Sequence, residues 1–209
     1  MSKAAYVYVQ NTLSDWEPGY VTAELNSGRY FKNKGERIEV MTVGVTTDSV
    51  VTAGGMTITP DTTLDTVTAN SSAMFMLLGA DNWSDPQHQP AIDKARELLE
   101  AGANVAAICG ATGALANAGF FDHRSHTSNA PEYLKMIAPN YRGEAYFKQK
   151  RAIKDGNLIT ASSAGPLEYA RLVIEELEVF SPEVLDAWYQ YFDTGDPQYF
   201  FTLMQALPQ

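Results

Sequence analysis

Cysteine is almost absent from this chain of 209 residues, and the single cysteine is Cys109. One cysteine excludes an internal disulfide framework and a cysteine-based zinc site. Histidine is also scarce, since only His88, His123 and His126 occur. A metal site built on His123 and His126 would lack a third ligand, so we expect no metal. Because a lone thiol stays reduced in the cytoplasm, we expect a cytoplasmic protein.

Long apolar segments and an excess of positive charge are lacking as well. The N-terminal sequence MSKAAYVYVQ has no apolar run of the roughly 7–15 residues that a signal peptide needs. No stretch reaches the roughly 18 apolar residues of a membrane span. The chain has 25 acidic and 15 basic residues, a formal net charge of −10. Since nucleic-acid binders need a basic face, we expect neither a membrane nor a nucleic-acid partner.

Segments typical of strands alternate with segments typical of helices. The strand-like segments are Ala4–Val9, Ile38–Val43, Ala73–Leu78, Asn104–Ile108, Ala145–Lys154 and Asn157–Ala161, with a hairpin over Val50–Pro60. The helical segments are Glu17–Asn26, Pro90–Ala101, Ala111–Ala118, Pro166–Val179 and one that starts at Ser181. This alternation predicts one α/β domain over residues 1–209, with a mostly parallel sheet covered by helices on both faces. Residues 180–209 should add a helical C-terminal extension.

The most informative segment runs from Asn104 to Gly119, where a strand leads directly into Cys109. Small residues follow at once, which suits a tight strand-to-helix turn that a substrate must approach closely. Open α/β folds place their ligand crevices at the carboxyl ends of such strands. The positive end of the following helix should favour the thiolate and lower the pKa of Cys109 below about 8.5. The N–H of Gly110 is a candidate oxyanion donor.

Two other interpretations of this segment compete with a reactive thiol. A free cysteine at the end of a core strand is often a buried structural residue. In addition, Gly110–Gly113 has the Gly-x-x-Gly pattern of a phosphate loop in some nicotinamide-dependent reductases. Against that loop, the third glycine position holds Ala116, and no ribose-reading residue at a strand end follows about 20 residues later. We therefore expect no cofactor.

Five segments carry a resemblance to a known family. They are Asp15–Glu17 after the first strand, the loop Leu77–Asp81, the turn Ala106–Gly110, its continuation Ala116–Asp122, and the strand-loop-helix Gly156–Glu168. In this order they resemble the ThiJ/PfpI family of the class I glutamine amidotransferase-like superfamily. The resemblance covers the chain up to about residue 179. It implies a flavodoxin-like three-layer α/β sandwich.

The resemblance also implies a site. Cys109 matches the family's nucleophile-elbow cysteine, and Glu17 matches its elbow glutamate. The family's second oxyanion N–H comes from the loop here occupied by Gly79 and Ala80, so Ala80 and Gly110 are the expected oxyanion donors. A carboxyl group within hydrogen-bond reach of the thiol would bias its protonation or stabilise an oxidised form.

The chain departs from the family pattern at its histidines. Protease-like members place a histidine directly after the cysteine, where this chain has Gly110, and a second family histidine matches Asn129. His126 and His123 are nearby in sequence, and either would serve as a general base if its loop folded over the thiol. We expect His88, which lies between two prolines, to be a loop residue.

Three functions are compatible with these features. The first is a cysteine-dependent hydrolase or amidotransferase-like enzyme acting on a small-molecule substrate. The second is a non-enzymatic redox or stress-responsive protein whose Cys109 is oxidised and stabilised by Glu17. A glutaminase subunit is the third, although no histidine follows His126 to complete its usual triad. Family members often pair, and the aromatic segment Trp188–Phe201 offers apolar surface, so we expect a homodimer.

Overall fold

A computed structural model of the chain describes residues 3–207. Within this range the strands are β1 (Ala4–Tyr8), β2 (Val40–Gly44), β3 (Val50–Val51), β4 (Thr57–Ile58), β5 (Thr62–Thr63), β6 (Ser72–Leu77), β7 (Val105–Ile108), β8 (Ala152–Asp155) and β9 (Leu158–Ala161). The α-helices are α1 (Gly19–Ser27), α2 (Gln89–Glu100), α3 (Gly110–Asn117), α4 (Pro131–Ile137), α5 (Pro166–Glu176), α6 (Pro182–Thr194) and α7 (Pro197–Ala206).

Seven of these strands form one sheet in the order β5-β2-β1-β6-β7-β9-β8. All neighbouring pairs are parallel except β8 and β9. The pair β3–β4 forms the predicted antiparallel hairpin outside this sheet. The chain runs from β1 outward to β2, then returns to place β6 on the other side of β1. Since the strand order reverses between β1 and β6, a ligand crevice is expected at their carboxyl ends.

Alternate residues of the central strands face two separate hydrophobic cores. In β1, Tyr6 and Tyr8 belong to the core shared with α2, α3 and α4, whereas Ala5 and Val7 belong to the core shared with α1, α5 and α6. Because helices cover both faces, the central strands are apolar at every position rather than at every second one. The predicted three-layer α/β sandwich with a mostly parallel sheet is confirmed.

Several elements differ from the sequence prediction. The strand expected over Ala145–Lys154 is limited to β8, because Glu144–Tyr146 forms a short 3-10 helix instead. The sequence pattern does not predict α4 or β5, which are seven and two residues long. Glu17 lies in the turn before α1, since that helix begins only at Gly19. In the described range, no helix is both long enough and apolar enough to cross a membrane.

Candidate active site

Cys109 stands between the end of β7 and the start of α3, in a backbone conformation unusual for a side chain. Its φ is 57° and its ψ is −124°, which costs energy in any residue other than glycine. Three hydrogen bonds hold it there: Cys109 N donates to Ala161 O at 3.0 Å, while Thr112 N and Oγ1 donate to Cys109 O at 3.0 and 2.5 Å. The thiol is partly exposed. This geometry is the predicted strand-to-helix elbow.

Glu17 reaches the elbow from the turn after β1. Its side chain is fully buried, and its Oε2 accepts a hydrogen bond from the N–H of Gly79 at 2.6 Å. A Cβ atom on Gly79 would lie 2.6 Å from Glu17 Oε1 and 3.0 Å from Cys109 Sγ. Position 79 therefore needs glycine, because the carboxyl group and the thiol meet beside its α-carbon.

Burial dominates the protonation of this pair. It raises the pKa of Glu17 to about 7, against hydrogen bonds from the Gly79 N–H and the Cys109 thiol that lower it. Burial and the charge of Glu17 raise the pKa of Cys109 to about 11, although Asn129 and the N–H of Gly110 act in the opposite direction. The expectation that the pKa of the thiol lies below its ordinary value is therefore wrong. At neutral pH the site holds a protonated thiol beside a carboxyl group that gains and loses its proton.

The two backbone N–H groups expected to bind an oxyanion lie close together. A Cβ atom on Gly110 would stand 3.3 Å from Ala80 N and 2.8 Å from Ala80 O. Gly110 is the first residue of α3, so its N–H has no acceptor within the helix. Among residues 3–207, no group accepts a hydrogen bond from Ala80 N. The same contact explains the glycine after Cys109, because a histidine there would collide with the Ala80 carbonyl.

The segment after β1 also holds the loop that carries Ala80. Thr12 Oγ1 accepts a hydrogen bond from Asp81 N at 2.9 Å, and Glu17 accepts one from Gly79 N. Thr12 adopts a φ of 64°, a left-handed conformation that is costly for a β-branched residue. Since the N–H groups on both sides of Ala80 are bonded, the Ala80 N–H is left for a ligand.

Asn129 is the other side chain in contact with the thiol. Its Nδ2 lies 3.7 Å from Cys109 Sγ, and its Oδ1 accepts a hydrogen bond from Ser163 N at 2.8 Å. The bond to Ser163 fixes the orientation of the amide, so that the NH2 group faces the sulfur. The amide NH2 group donates hydrogen bonds but is neither protonated nor ionised near neutral pH. Asn129 therefore positions the sulfur without acting as its base.

The structure does not bring His126 or His123 to the thiol. Both ring nitrogens of the fully buried His126 are bonded, Nδ1 to Arg124 O at 2.8 Å and Nε2 to Tyr141 Oη at 2.7 Å. Burial lowers the pKa of His126, so the ring is held neutral in the core. His123 is exposed, and its ring makes an edge contact with Tyr146. The suggestion that either histidine is the base of Cys109 has no geometric support.

His88 is a core residue rather than the expected loop residue. It ends a short 3-10 helix at Pro86–His88, and it is buried with its Nδ1 2.7 Å from Tyr8 Oη. The centroid of its ring lies 6.0 Å from that of the Trp83 ring. Throughout residues 3–207, no three histidine, cysteine, aspartate or glutamate side chains are grouped to hold a metal ion.

Comparison with known proteins assigns this arrangement to a family. The model of the DJ-1/PfpI family matches residues 3–176. The chain belongs to the DJ-1/PfpI family. It is similar to an uncharacterized protease, YoaZ, of Bacillus subtilis, with 45% identity over 206 residues that cover 99% of this chain and 98% of the relative. A second B. subtilis relative, the uncharacterized protease YdeA, is 29% identical over 187 residues, covering 89% of this chain and 88% of that protein.

Solved structures of DJ-1/PfpI proteins have the same fold. A thiJ/pfpI family protein from Bacillus anthracis superposes with a TM-score of 0.95 at 46% identity, covering 100% of this chain and 99% of that one. The DJ-1 superfamily protein Atu0886 from Agrobacterium tumefaciens superposes with a TM-score of 0.79 at 26% identity, covering 93% and 99%. The resemblance inferred from the five sequence segments is thus confirmed for the family and the fold.

Sequence reasoning missed the residues of this DJ-1/PfpI site that act through the backbone. Thr12 and Ser163 belong to loops, and their hydrogen bonds to Asp81 and Asn129 depend on contacts between distant segments. A threonine shortly after a strand carries no signal of a positive φ. Only the sheet order, which brings the loops after β1 and β6 together, would have pointed to Thr12.

Proposed function

We propose that this protein is a cysteine-dependent hydrolase that acts on small activated carbonyl compounds, with Glu17 as the proton carrier of Cys109. The observation that carries the proposal is the contact of the Glu17 carboxyl group and the Cys109 thiol beside Gly79. A thiol with a raised pKa needs a base at the moment of attack. Glu17, whose pKa is about 7, is well matched to that task at neutral pH.

The first step forms a bond between Cys109 Sγ and the carbonyl carbon of the substrate. The ionised Glu17 takes the thiol proton as this bond forms, and the π electrons of the carbonyl group move to its oxygen. The N–H groups of Gly110 and Ala80 stabilise the resulting oxyanion. Asn129 supports the sulfur with its amide N–H during the attack.

The second step releases the leaving group and then regenerates the thiol. The oxyanion collapses to a thioester on Cys109 while Glu17 returns its proton to the leaving group. Water then attacks the thioester, and Glu17 accepts one proton of that water. As the bond between carbon and sulfur breaks, Glu17 passes this proton to the departing sulfur. The acid departs as the second product, so a single carboxyl group serves both half-reactions.

Two features favour a small activated substrate over a peptide bond. The groups that interact with the thiol are Glu17, Asn129 and the Gly110 N–H, and none is an imidazole of the kind that protonates the amine leaving group in cysteine proteases. Cys109 is also only partly exposed. The word protease in the names of the B. subtilis relatives supports hydrolysis in the general sense.

The proposal is tested with 4-nitrophenyl acetate, whose hydrolysis releases a coloured product. Cys109→Ser should abolish turnover, and Glu17→Gln should lower kcat/KM by about 100-fold or more, the usual worth of a general base. Glu39→Gln is the matched control, because Glu39 is exposed. Full activity in Cys109→Ser or Glu17→Gln would overturn the proposal, whereas His123→Ala is expected to leave the rate unchanged.

Oxidation of Cys109 is a second candidate function that one observation favours. Glu17 Oε1 is buried and has no hydrogen-bond partner of good geometry among residues 3–207. When protonated, this carboxyl group would donate a hydrogen bond to an oxygen on an oxidised sulfur. Peroxide would supply the oxygen atoms, converting the thiol to sulfenic and then sulfinic acid with release of water at each step.

Intact mass after mild peroxide treatment tests this second candidate. We expect the addition of one and then two oxygens in the wild type, and none in Cys109→Ser. Glu17→Ala should change which of the two products accumulates, because the donor to the sulfur oxygens is lost. No mass gain at sub-millimolar peroxide would refute an oxidative role.

A further inference from the structure

A cavity of about 790 Å³ opens beside the oxyanion donors. It is lined by the two candidate oxyanion donors, Ala80 and Gly110, and by Asp81, Trp83 and Tyr133. Residues of α2, α3 and α4 also line it, Arg96 among them. Because the candidate oxyanion donors line it, its walls would contact the substituents of a substrate whose carbonyl oxygen they bind.

The positive charge in the wall of this cavity comes from Arg96 on α2. In the described part of the chain, Arg96 is the single basic residue among those that line it. Its Nη2 donates a hydrogen bond to Ala118 O at 2.5 Å, and its guanidinium lies 4.3 Å from the ring centroid of Phe120. Arg96 is thus held against the Ala118 carbonyl and the Phe120 ring.

One of the two carboxylates that line the cavity is available to a ligand. Asp85 accepts hydrogen bonds from N and Nε2 of Gln87, at 3.1 and 2.9 Å, and so caps a short helix. Asp81 is exposed, and its carboxylate has no ion pair or hydrogen bond to any group within residues 3–207. Tyr133 lines the same cavity, and burial, followed by the charges of Cys109 and Asp81, raises its pKa.

We infer that this cavity selects small carbonyl compounds that are neutral or positively charged, with an amine or hydroxyl substituent that donates to Asp81, and that it excludes carboxylates. The inference rests on the proposed function, because it names the substrate class of the same site. A carboxylate bound here would be repelled by Asp81 and Asp85, which outnumber Arg96, the one basic residue that lines the cavity in the described range.

The single cysteine of the chain allows this selectivity to be measured without turnover. Two methanethiosulfonate reagents of similar size serve as probes, one with a trimethylammonium group and one with a sulfonate group. Each transfers its alkylthio group to Cys109 Sγ, forming a disulfide and releasing methanesulfinate, while the thiol proton passes to solvent. The ratio of the two rates at Cys109 is divided by the ratio measured with 2-mercaptoethanol as a free thiol. This division removes the intrinsic difference in reactivity between the two reagents.

We expect the normalised ratio to favour the cationic reagent by about tenfold or more at low ionic strength. Asp81→Asn should lower this ratio by about fivefold. In the wild type, about 1 M salt should bring the ratio closer to one, because salt screens charges beyond a few ångströms. Asp193→Asn is the matched control, since Asp193 is an exposed acid on α6. It should leave the ratio unchanged.

The outcomes separate this inference from the proposed function. A ratio in Asp81→Asn within twofold of the wild type overturns the assignment of Asp81, even if ester hydrolysis is observed. A lowered ratio supports the inference even if no ester is turned over, in which case the proposed hydrolysis alone fails. A Cys109 that reacts with neither reagent overturns both proposals, because the thiol is then inaccessible.

Discussion

Replacement of Glu17 by glutamine should stabilise the protein at neutral and alkaline pH. Glu17 is fully buried, and burial raises its pKa from 4.5 to about 7. A carboxyl group with a higher pKa in the folded state favours folding while it is protonated. That contribution is present below pH 4.5 and is lost as the pH rises to about 7. At about 1.4 kcal/mol for each pKa unit, the full loss is about 3 kcal/mol.

Glutamine keeps an oxygen for the Gly79 N–H but does not ionise, so this pH dependence should disappear. The free energy of unfolding of Glu17→Gln, measured by urea titration from pH 4.5 to pH 8, should stay level where that of the wild type falls. At the upper end of the range the variant should be more stable by about 3 kcal/mol. In thermal unfolding this corresponds to a rise in Tm of roughly 6–12 °C for a chain of this size.

Two further variants make the measurement decisive. Glu39→Gln replaces an exposed glutamate and should follow the wild-type curve. Cys109→Ala removes the thiol but should keep a fall in stability over the same pH range, because burial is the main cause of the raised pKa of Glu17. If Glu17→Gln instead keeps the wild-type pH dependence, the proton that leaves near neutral pH belongs to the sulfur. That result would refute the assignment of the proton to Glu17.

Three other predictions concern the surroundings of the pair. Thr12→Val removes the acceptor of the Asp81 N–H, so ester turnover should fall about tenfold, while alkylation of Cys109 by iodoacetamide, which develops no oxyanion, keeps its rate. Gly110→Ala places a Cβ atom 2.8 Å from the Ala80 carbonyl, and urea unfolding should show a loss of about 1–3 kcal/mol. Trp188→Phe removes the 3.0 Å hydrogen bond to the buried carboxylate of Glu24, so the free energy of unfolding should fall by about 1–3 kcal/mol. Wild-type values in any of these assays would contradict the corresponding contact.

The elbow was predictable because its signal is local. A run of buried residues ends at Cys109, and the small residues after it leave space for both a tight turn and a substrate. The long helices α2 and α5 were predictable for a similar reason, since proline near their starts and an apolar stripe mark them. In contrast, α4 has only seven residues and one buried side chain, Leu134, so its sequence shows no clear periodicity.

The charge state of the thiol was not predictable from its place at a helix start. The N–H of Gly110 does act to lower the pKa of Cys109, as the sequence argument assumed, but burial and Glu17 have the larger effect. The histidines expected as the base of Cys109 do not reach the thiol, for a related reason. His126 is close to the elbow in sequence, yet Tyr141 and the Arg124 carbonyl occupy its nitrogens. The homodimer expected from the resemblance stays a prediction.

The site as a whole follows from the order of three neighbouring strands. β1, β6 and β7 lie side by side and run parallel, so the residues after their carboxyl ends must meet. Glu17 follows β1, Ala80 follows β6 and Cys109 follows β7. The proposed base, one proposed oxyanion donor and the proposed nucleophile therefore come from three loops whose spacing is set by the sheet. Since the strand order reverses between β1 and β6, no crossover helix fills the gap, and Glu17 can reach the thiol past Gly79. A change that shifts the register of β1 against β6 should thus separate the carboxyl group from the thiol more effectively than any substitution in the cavity wall.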